Sequence, residues 1–273
     1  MSVGLTYADL FASLGRQCVA VIAGDDVVLP GQVATLCRAF AATGTGTDAV
    51  YDALVARAVS TLDAFDRAAL SDLLWAIAVA DVAVDDRVAV AFLRRAAASF
   101  DDDGVLQAAT RRWLLAMGPE RSSDVIARAS SLSGLPCLTS PVSSSSSSSD
   151  PGAVSALQSS VVETLQAVQA PGSRLVAQYV CPDTACLVDI AFPGAKVAVQ
   201  VHDPARFRQD VQSGRLQLDG DALLTQRLLR RHGWVVVSVD FAEWIPLHAG
   251  NPLHDHPGKV AFLRSRLPAS VLQ

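Results

Sequence analysis

The chain has 273 residues, of which 51% are hydrophobic, and a formal net charge of −5. That length holds one large or two modest domains, and that hydrophobicity excludes a wholly disordered chain. No apolar run reaches the roughly 18 residues needed to cross a bilayer, and the charge excludes a global basic field for nucleic acid.

The first 26 residues, MSVGLTYADLFASLGRQCVAVIAGDD, lack the basic start and clean apolar core of a secretory signal. They also make a poor transit peptide, because Asp9, Asp25 and Asp26 come early and Arg16 is the sole basic residue. The expectation is a protein that works where it is made, or a Met1 that is not the native start.

Helical periodicity begins at Val33. Val33, Leu36, Cys37 and Phe40 share a face, then Leu54, Val55, Ala58 and Val59, then Leu70, Leu73, Leu74 and Ile77. Val88, Ala91 and Phe92 follow, then Leu106, Ala109, Trp113 and Met117. No proline occurs between Gly31 and Gly118, while Gly44, Gly46 and the Asp101–Gly104 cluster punctuate the pattern. A shift of 37 residues places Val33 on Leu70, Leu36 on Leu73, Phe40 on Ile77, Asp48 on Asp85 and Val55 on Phe92. Two helices per unit at that period predict an α-solenoid-like region.

Seven consecutive serines, Ser143 to Ser149, can bury nothing and read as a flexible linker. The predicted organisation is a helical repeat-like region over 1–138, a linker over 139–153 and an α/β domain over 154–273. Charge is uneven along the chain: residues 1–173 carry 11 Arg against 18 acids, net −7, and residues 174–273 carry 11 Lys+Arg against 9 acids, net +2.

Beyond the serines, Leu157, Val161, Leu165 and Val168 mark a helix. Short β-type runs follow at Arg174–Val180, Leu187–Phe192, Val197–Val201 and Trp234–Val239. Between the last two lies a basic helix, Asp221–His232, with Leu223, Leu224, Leu228 and Leu229 on its apolar side, and Val260–Leu267 closes the domain. A hairpin, a crossover helix and a further strand make a small α/β unit.

Five cysteines show no disulfide-scaffold density, and Cys18 and Cys37 sit among apolar residues as buried thiols do. Cys181-x4-Cys186 with His248, His254 and His256 fits no zinc spacing well, so no metal and no cofactor is assigned. Asp189 and Gln200 fall on adjacent strands across the Phe192-Pro193-Gly194 turn, and His202 lies two residues on. Two carboxylates so placed would hold a divalent cation against a phosphodiester. In this scheme Ala198, Gln200 and His202 face opposite to Val197, Val199 and Val201.

The segments VDIAFPGAKVAVQVHDPARF and LLTQRLLRRHGWVVVSVDFAEW together resemble the RAP domain, a short module of organellar RNA-metabolism proteins. The resemblance covers residues 154–267, and the helices before it, LSDLLWAIA above all, look like the arrays in FAST-kinase-type and octotricopeptide-repeat proteins. It implies an endonuclease-like fold of the PD-(D/E)XK type, RNA as partner alongside other organellar RNA-metabolism proteins, and work in a chloroplast or mitochondrion. The positions it carries over are Asp189, Gln200, His202, Pro204, Arg206 and Phe207, with Arg227, Arg230, Gly233, Trp234 and Trp244.

The departures decide the expected activity. Gln200 stands where the family has Glu, His202 where it has Asp, Asp203 where it has Gly, and Arg206 where it has His. An amide at 200 removes a unit of negative charge from a cation site, so Asp189, Gln200 and His202 are candidates for catalysis without being a complete set. Arg206, Arg208, Arg227, Arg230 and Arg231 are the expected RNA-binding residues, with Arg227 one helical turn from both Arg230 and Arg231. His202 is expected to be an exposed polar residue. Pro204, Phe207, Gly233, Trp234 and Trp244 are expected to be structural, Gly233 as a left-handed helix end. The expected function is RNA binding without cleavage. The alternatives are a metal-dependent ribonuclease built on Asp189 and a protein–protein adaptor with a degenerate RAP domain.

Overall fold

The computed structural model describes residues 4–24, 28–101, 104–129, 155–248 and 257–272. The serine linker, Cys137, His254 and His256 lie outside them. The chain forms an N-terminal helical region and a smaller C-terminal region built on a mixed sheet.

Among the described residues, the helical unit contains α1 (Ala8–Ala23), α2 (Pro30–Thr43), α3 (Asp48–Ser60), α4 (Arg67–Ala80), α5 (Asp86–Ala97), α6 (Val105–Met117) and α7 (Pro119–Ala129). They stack in two rows. In one, α2 packs on α4 and α4 on α6; in the other, α1 packs on α3 and α5 on α7. The 37-residue period is visible in the backbone, since α2 spans 30–43 and α4 spans 67–80, an offset of 37 at both ends. Even the stop signals repeat. Gly44, Asp81 and Gly118 follow α2, α4 and α6 at that spacing, with φ of 63°, 57° and 89°. These positive-φ residues, left-handed at Gly44 and Asp81, end each helix before the chain turns into the other row. Asp66 and Asp85 start α4 and α5 by accepting from Ala69 N at 2.8 Å and Val88 N at 2.9 Å.

The apolar stripes supply the core: Phe40, Leu54, Leu70, Leu73, Leu74, Ile77, Phe92, Leu93 and Trp113 are all buried. Burying each such side chain stabilises the fold by about 1.5–3 kcal/mol, so the stacking of amphipathic helices holds this unit together.

Two features were not legible in the pattern. Helix α1 precedes the first expected helix. A second sheet also joins this unit: β1 (Gly4–Thr6) lies parallel to β5 (Phe207–Asp210), which neighbours β6 (Leu216–Leu218). Residues 208–224 group with the helical unit.

The sheet unit comprises α8 (Ala156–Val168), β2 (Val176–Val180), β3 (Leu187–Phe192), β4 (Val197–His202), the end of α9 (Gly220–Arg231), β7 (Val235–Asp240), α10 (Phe241–Trp244) and α11 (Pro257–Arg266). The strand order is β2-β3-β4-β7, with β2, β3 and β4 antiparallel and β4 parallel to β7. Val161 and Leu165 of α8 and Leu263 of α11 pack with Trp244 on one face, against Ile190, Phe192, Val197, Val199, Val237 and Val239. Leu229 and Trp234 cover the other face, against Cys181, Val188, Ala191 and Ala198. Both faces of the central strands are thus dry, and any polar side chain there needs a partner within the fold. Leu223, expected on the apolar side of α9, is exposed.

Candidate functional site

Asp189 sits where the β3–β4 ladder stops. The paired residues run Phe192↔Val197, Ala191↔Ala198 and Ile190↔Val199. Past that point the Asp189 carboxylate accepts from Val201 N at 2.8 Å, taking the place of a strand carbonyl for that amide. Burial pushes its carboxyl up to about 6, against the opposing pull of the Val201 N–H and the Arg206 guanidinium, while Asp203 adds to the rise. The carboxylate is held at the cost of its own ionisation.

Gln200 is buried on β4, and its Nε2 donates to Leu187 O at 3.4 Å. A carboxylate in its place would face that carbonyl oxygen with no proton to offer. The amide therefore suits this position in a way that glutamate would not.

His202 is 3% exposed, which overturns the expectation of a surface residue. It ends β4, an inner strand, and points to the side covered by α9. Gln226 Nε2 lies 3.0 Å from His202 Nε2 and donates to Ser238 Oγ at 2.9 Å. The amide thus bridges the imidazole of β4 and the hydroxyl of β7 within a dry layer. The ring edge packs on Phe207 at 6.3 Å, and Phe207 on Phe241 at 5.3 Å.

Asp240 is the register partner of His202 on β7. Its Oδ1 is buried with no hydrogen-bond partner, and its carboxyl is raised by burial and by Glu243, with Arg266 opposing. Gln226, Ser238 and Asp240 were missed from sequence. Their signal was available at Ser238 and Asp240, which alternate with buried valines in VVVSVD as Gln200 and His202 do in VAVQVH. Gln226 gave none, being one polar residue among many on a basic helix. Among the described residues, no group of three His, Cys, Asp or Glu side chains is placed to hold a metal ion.

A further buried polar group lies on the opposite face. Lys259 Nζ donates to Ser160 Oγ at 2.8 Å and stands 5.2 Å over the Trp244 ring, whose Nε1 also donates to Ser160 at 3.3 Å. Burial lowers the lysine's pKa, with Glu163 opposing. Trp244 and Trp234 are both buried. Gly233 has φ of 79°, and Trp234 N donates to Leu229 O at 3.0 Å across the end of α9. Pro204 opens a short 3-10 turn capped by Asp203, whose Oδ1 accepts from Ala205 N at 3.0 Å.

The five expected RNA-binding arginines do not form one cluster. Arg208 belongs to the helical unit. Arg206 leaves the C-terminal end of β4, whereas Arg230 and Arg231 end α9 near the start of that strand. Lys196, just before β4, marks that second end, with Nζ 3.4 Å from His232 O and its carbonyl bonded to Val235 N at 2.8 Å. A strand of six residues separates the two groups by roughly 20 Å. Arg206, Arg230 and Arg231 are exposed and Arg227 is half-buried.

Cys181 and Cys186 are buried where the loop joins β2 to β3, Cys181 N donating to Cys186 O at 2.9 Å. Compared with known proteins, the chain matches no family model and no curated sequence.

Proposed function

We propose that this chain is an RNA-binding protein of organellar RNA metabolism that does not cleave its ligand, its sheet unit being a RAP-like domain of the PD-(D/E)XK type. The observation that carries the reading is the state of β3 and β4. One carboxylate, Asp189, stands beside a buried amide and a buried imidazole, both held by hydrogen bonds within the fold. A magnesium site built from one carboxylate is weak. Basic side chains, by contrast, leave both ends of the same layer, at Arg206 and at Lys196, Arg230 and Arg231. Their roughly 20 Å separation suits an extended single strand crossing the unit, held by phosphate contacts.

Anisotropy of a fluorescein-labelled single-stranded RNA measures this directly between 50 and 200 mM KCl. Reversing both charges, Arg230→Glu with Arg231→Glu, is expected to weaken binding and to lower the salt slope by about 1.4, the value for two phosphate contacts on a single strand. Absent or salt-insensitive binding would favour the adaptor instead.

Asp189 itself favours a second reading. A carboxylate kept in a desolvated position with a raised pKa is what catalytic sites hold, so a metal-dependent ribonuclease using Asp189 is the rival. Cleavage of RNA with Mg²⁺ or Mn²⁺ that disappears in Asp189→Ala would establish the rival and sink the first reading.

A further inference from the structure

Arg38 on α2, Trp75 on α4 and Arg112 on α6 are spaced by 37 residues each, the period of the repeat. They therefore occupy one position on three successive helices of the same row. Neighbouring helices pack about 8–10 Å apart, so the three side chains form a column: guanidinium, indole, guanidinium. The Arg38 guanidinium lies 4.4 Å over the Trp75 ring.

The chain's own acid occupies this column. Trp75 Nε1 donates to Asp221 Oδ1 at 2.8 Å, and Arg112 Nη1 reaches the same oxygen at 3.5 Å. The approach is tight. A Cβ on Gly220 would lie 2.8 Å from Val79 Cγ1 and 3.2 Å from the Trp75 ring, so only glycine lets Asp221 come this close. Asp72 balances Arg38 at 2.8 Å. The ion pair of Arg112 with Asp221 is exposed, at 41% and 48% for the two side chains, and exposed pairs are weak. An indole N–H and guanidinium groups that donate to a carboxylate donate to a phosphate by the same charge-assisted hydrogen bonds, and planar Trp and Arg groups stack on bases.

We propose that the Arg38–Trp75–Arg112 column is a second RNA-contacting surface, on the helical unit, and that Asp221 is an internal competitor holding it closed until a phosphate displaces it. This rests on the RNA-binding reading above and adds its regulation. Replacing Asp221 by asparagine keeps an oxygen for the Trp75 N–H and removes the competing charge.

The test uses the full chain and a fluorescein-labelled, mixed-sequence single-stranded RNA of twenty nucleotides at low salt. Asp221→Asn is expected to bind between about two- and fivefold more tightly than the wild type, the range that losing one exposed ion pair allows. Adding Arg38→Ala and Arg112→Ala should cancel the gain. Gly220→Ala, which pushes Asp221 off the indole, should reproduce it, and circular dichroism would check that each variant is folded. The inference is overturned if Asp221→Asn binds like the wild type, or if its gain survives removal of both arginines. Wild-type binding that responds to Arg230 and Arg231 reversal but not to Asp221→Asn sinks this inference alone. No binding by either protein sinks the RNA reading with it.

Discussion

Asp189→Asn isolates the cost of burying a carboxylate at the end of the β3–β4 ladder. Burial lifts this carboxyl from 3.8 to about 6. The folded state therefore holds the proton more tightly than the unfolded chain does. Its contribution to stability is fully present below pH 3.8 and is lost as the pH rises through 6. At 1.36 kcal/mol per unit, the ionised carboxylate costs the fold on the order of 3 kcal/mol at pH 8, and about 1 kcal/mol at pH 4.5. Asparagine does not titrate, and its Oδ1 can still accept from Val201 N, so the hydrogen-bond change is a constant offset. The stability of Asp189→Asn relative to wild type should therefore grow by about 2 kcal/mol between pH 4.5 and pH 8. Urea denaturation followed by circular dichroism at several pH values reads that difference. A difference that stays flat, or that falls towards pH 8, would refute the assignment of Asp189 as a desolvated carboxylate. It would also remove the observation that favours the ribonuclease.

Two further perturbations probe the same unit. Gln226→Leu strips the amide from His202 Nε2 and Ser238 Oγ in a dry layer, and should cost about 1–3 kcal/mol in urea denaturation; an unchanged midpoint would show that the network contributes nothing. Gly233→Ala puts a Cβ on a residue at φ 79° and should lower stability by about 1 kcal/mol without altering RNA affinity, an outcome that thermal melting and anisotropy together distinguish.

The helical unit was legible because its information is local. The stripe Val33, Leu36, Cys37, Phe40 recurs as Leu70, Leu73, Leu74, Ile77, and each stripe buries against the next unit of its own kind. Such a period survives in sequence because the same packing problem is solved repeatedly. Helix α1 was less legible, since Tyr7, Leu10, Leu14 and Val21 recur at helical spacing but remain exposed. The pairing of β1 with β5 joins residues some 200 positions apart, and strands of three or four residues carry no pattern strong enough to announce a partner.

The candidate site shows the same division more sharply. The β4 face that Gln200 shares with Ala198 and His202, the glycine that ends α9, and the buried tryptophans follow from residue identity and the alternation of a strand, and those were readable in the chain. Burial of His202 was not, because period two assigns it a face without saying whether that face is covered; Gln226 of α9 and Phe207, both set against the ring, settle it. The arginines make the point in reverse. Two residues apart in sequence, Arg206 and Arg208 fall in different units, and Arg230 lies at the far end of the strand from Arg206. Sequence determines which side chains carry charge and which faces are apolar, because those are properties of residues and of short-range periodicity. Which charges meet, and which polar groups lose water, was decided by tertiary structure, because both depend on elements brought together from distant parts of the chain.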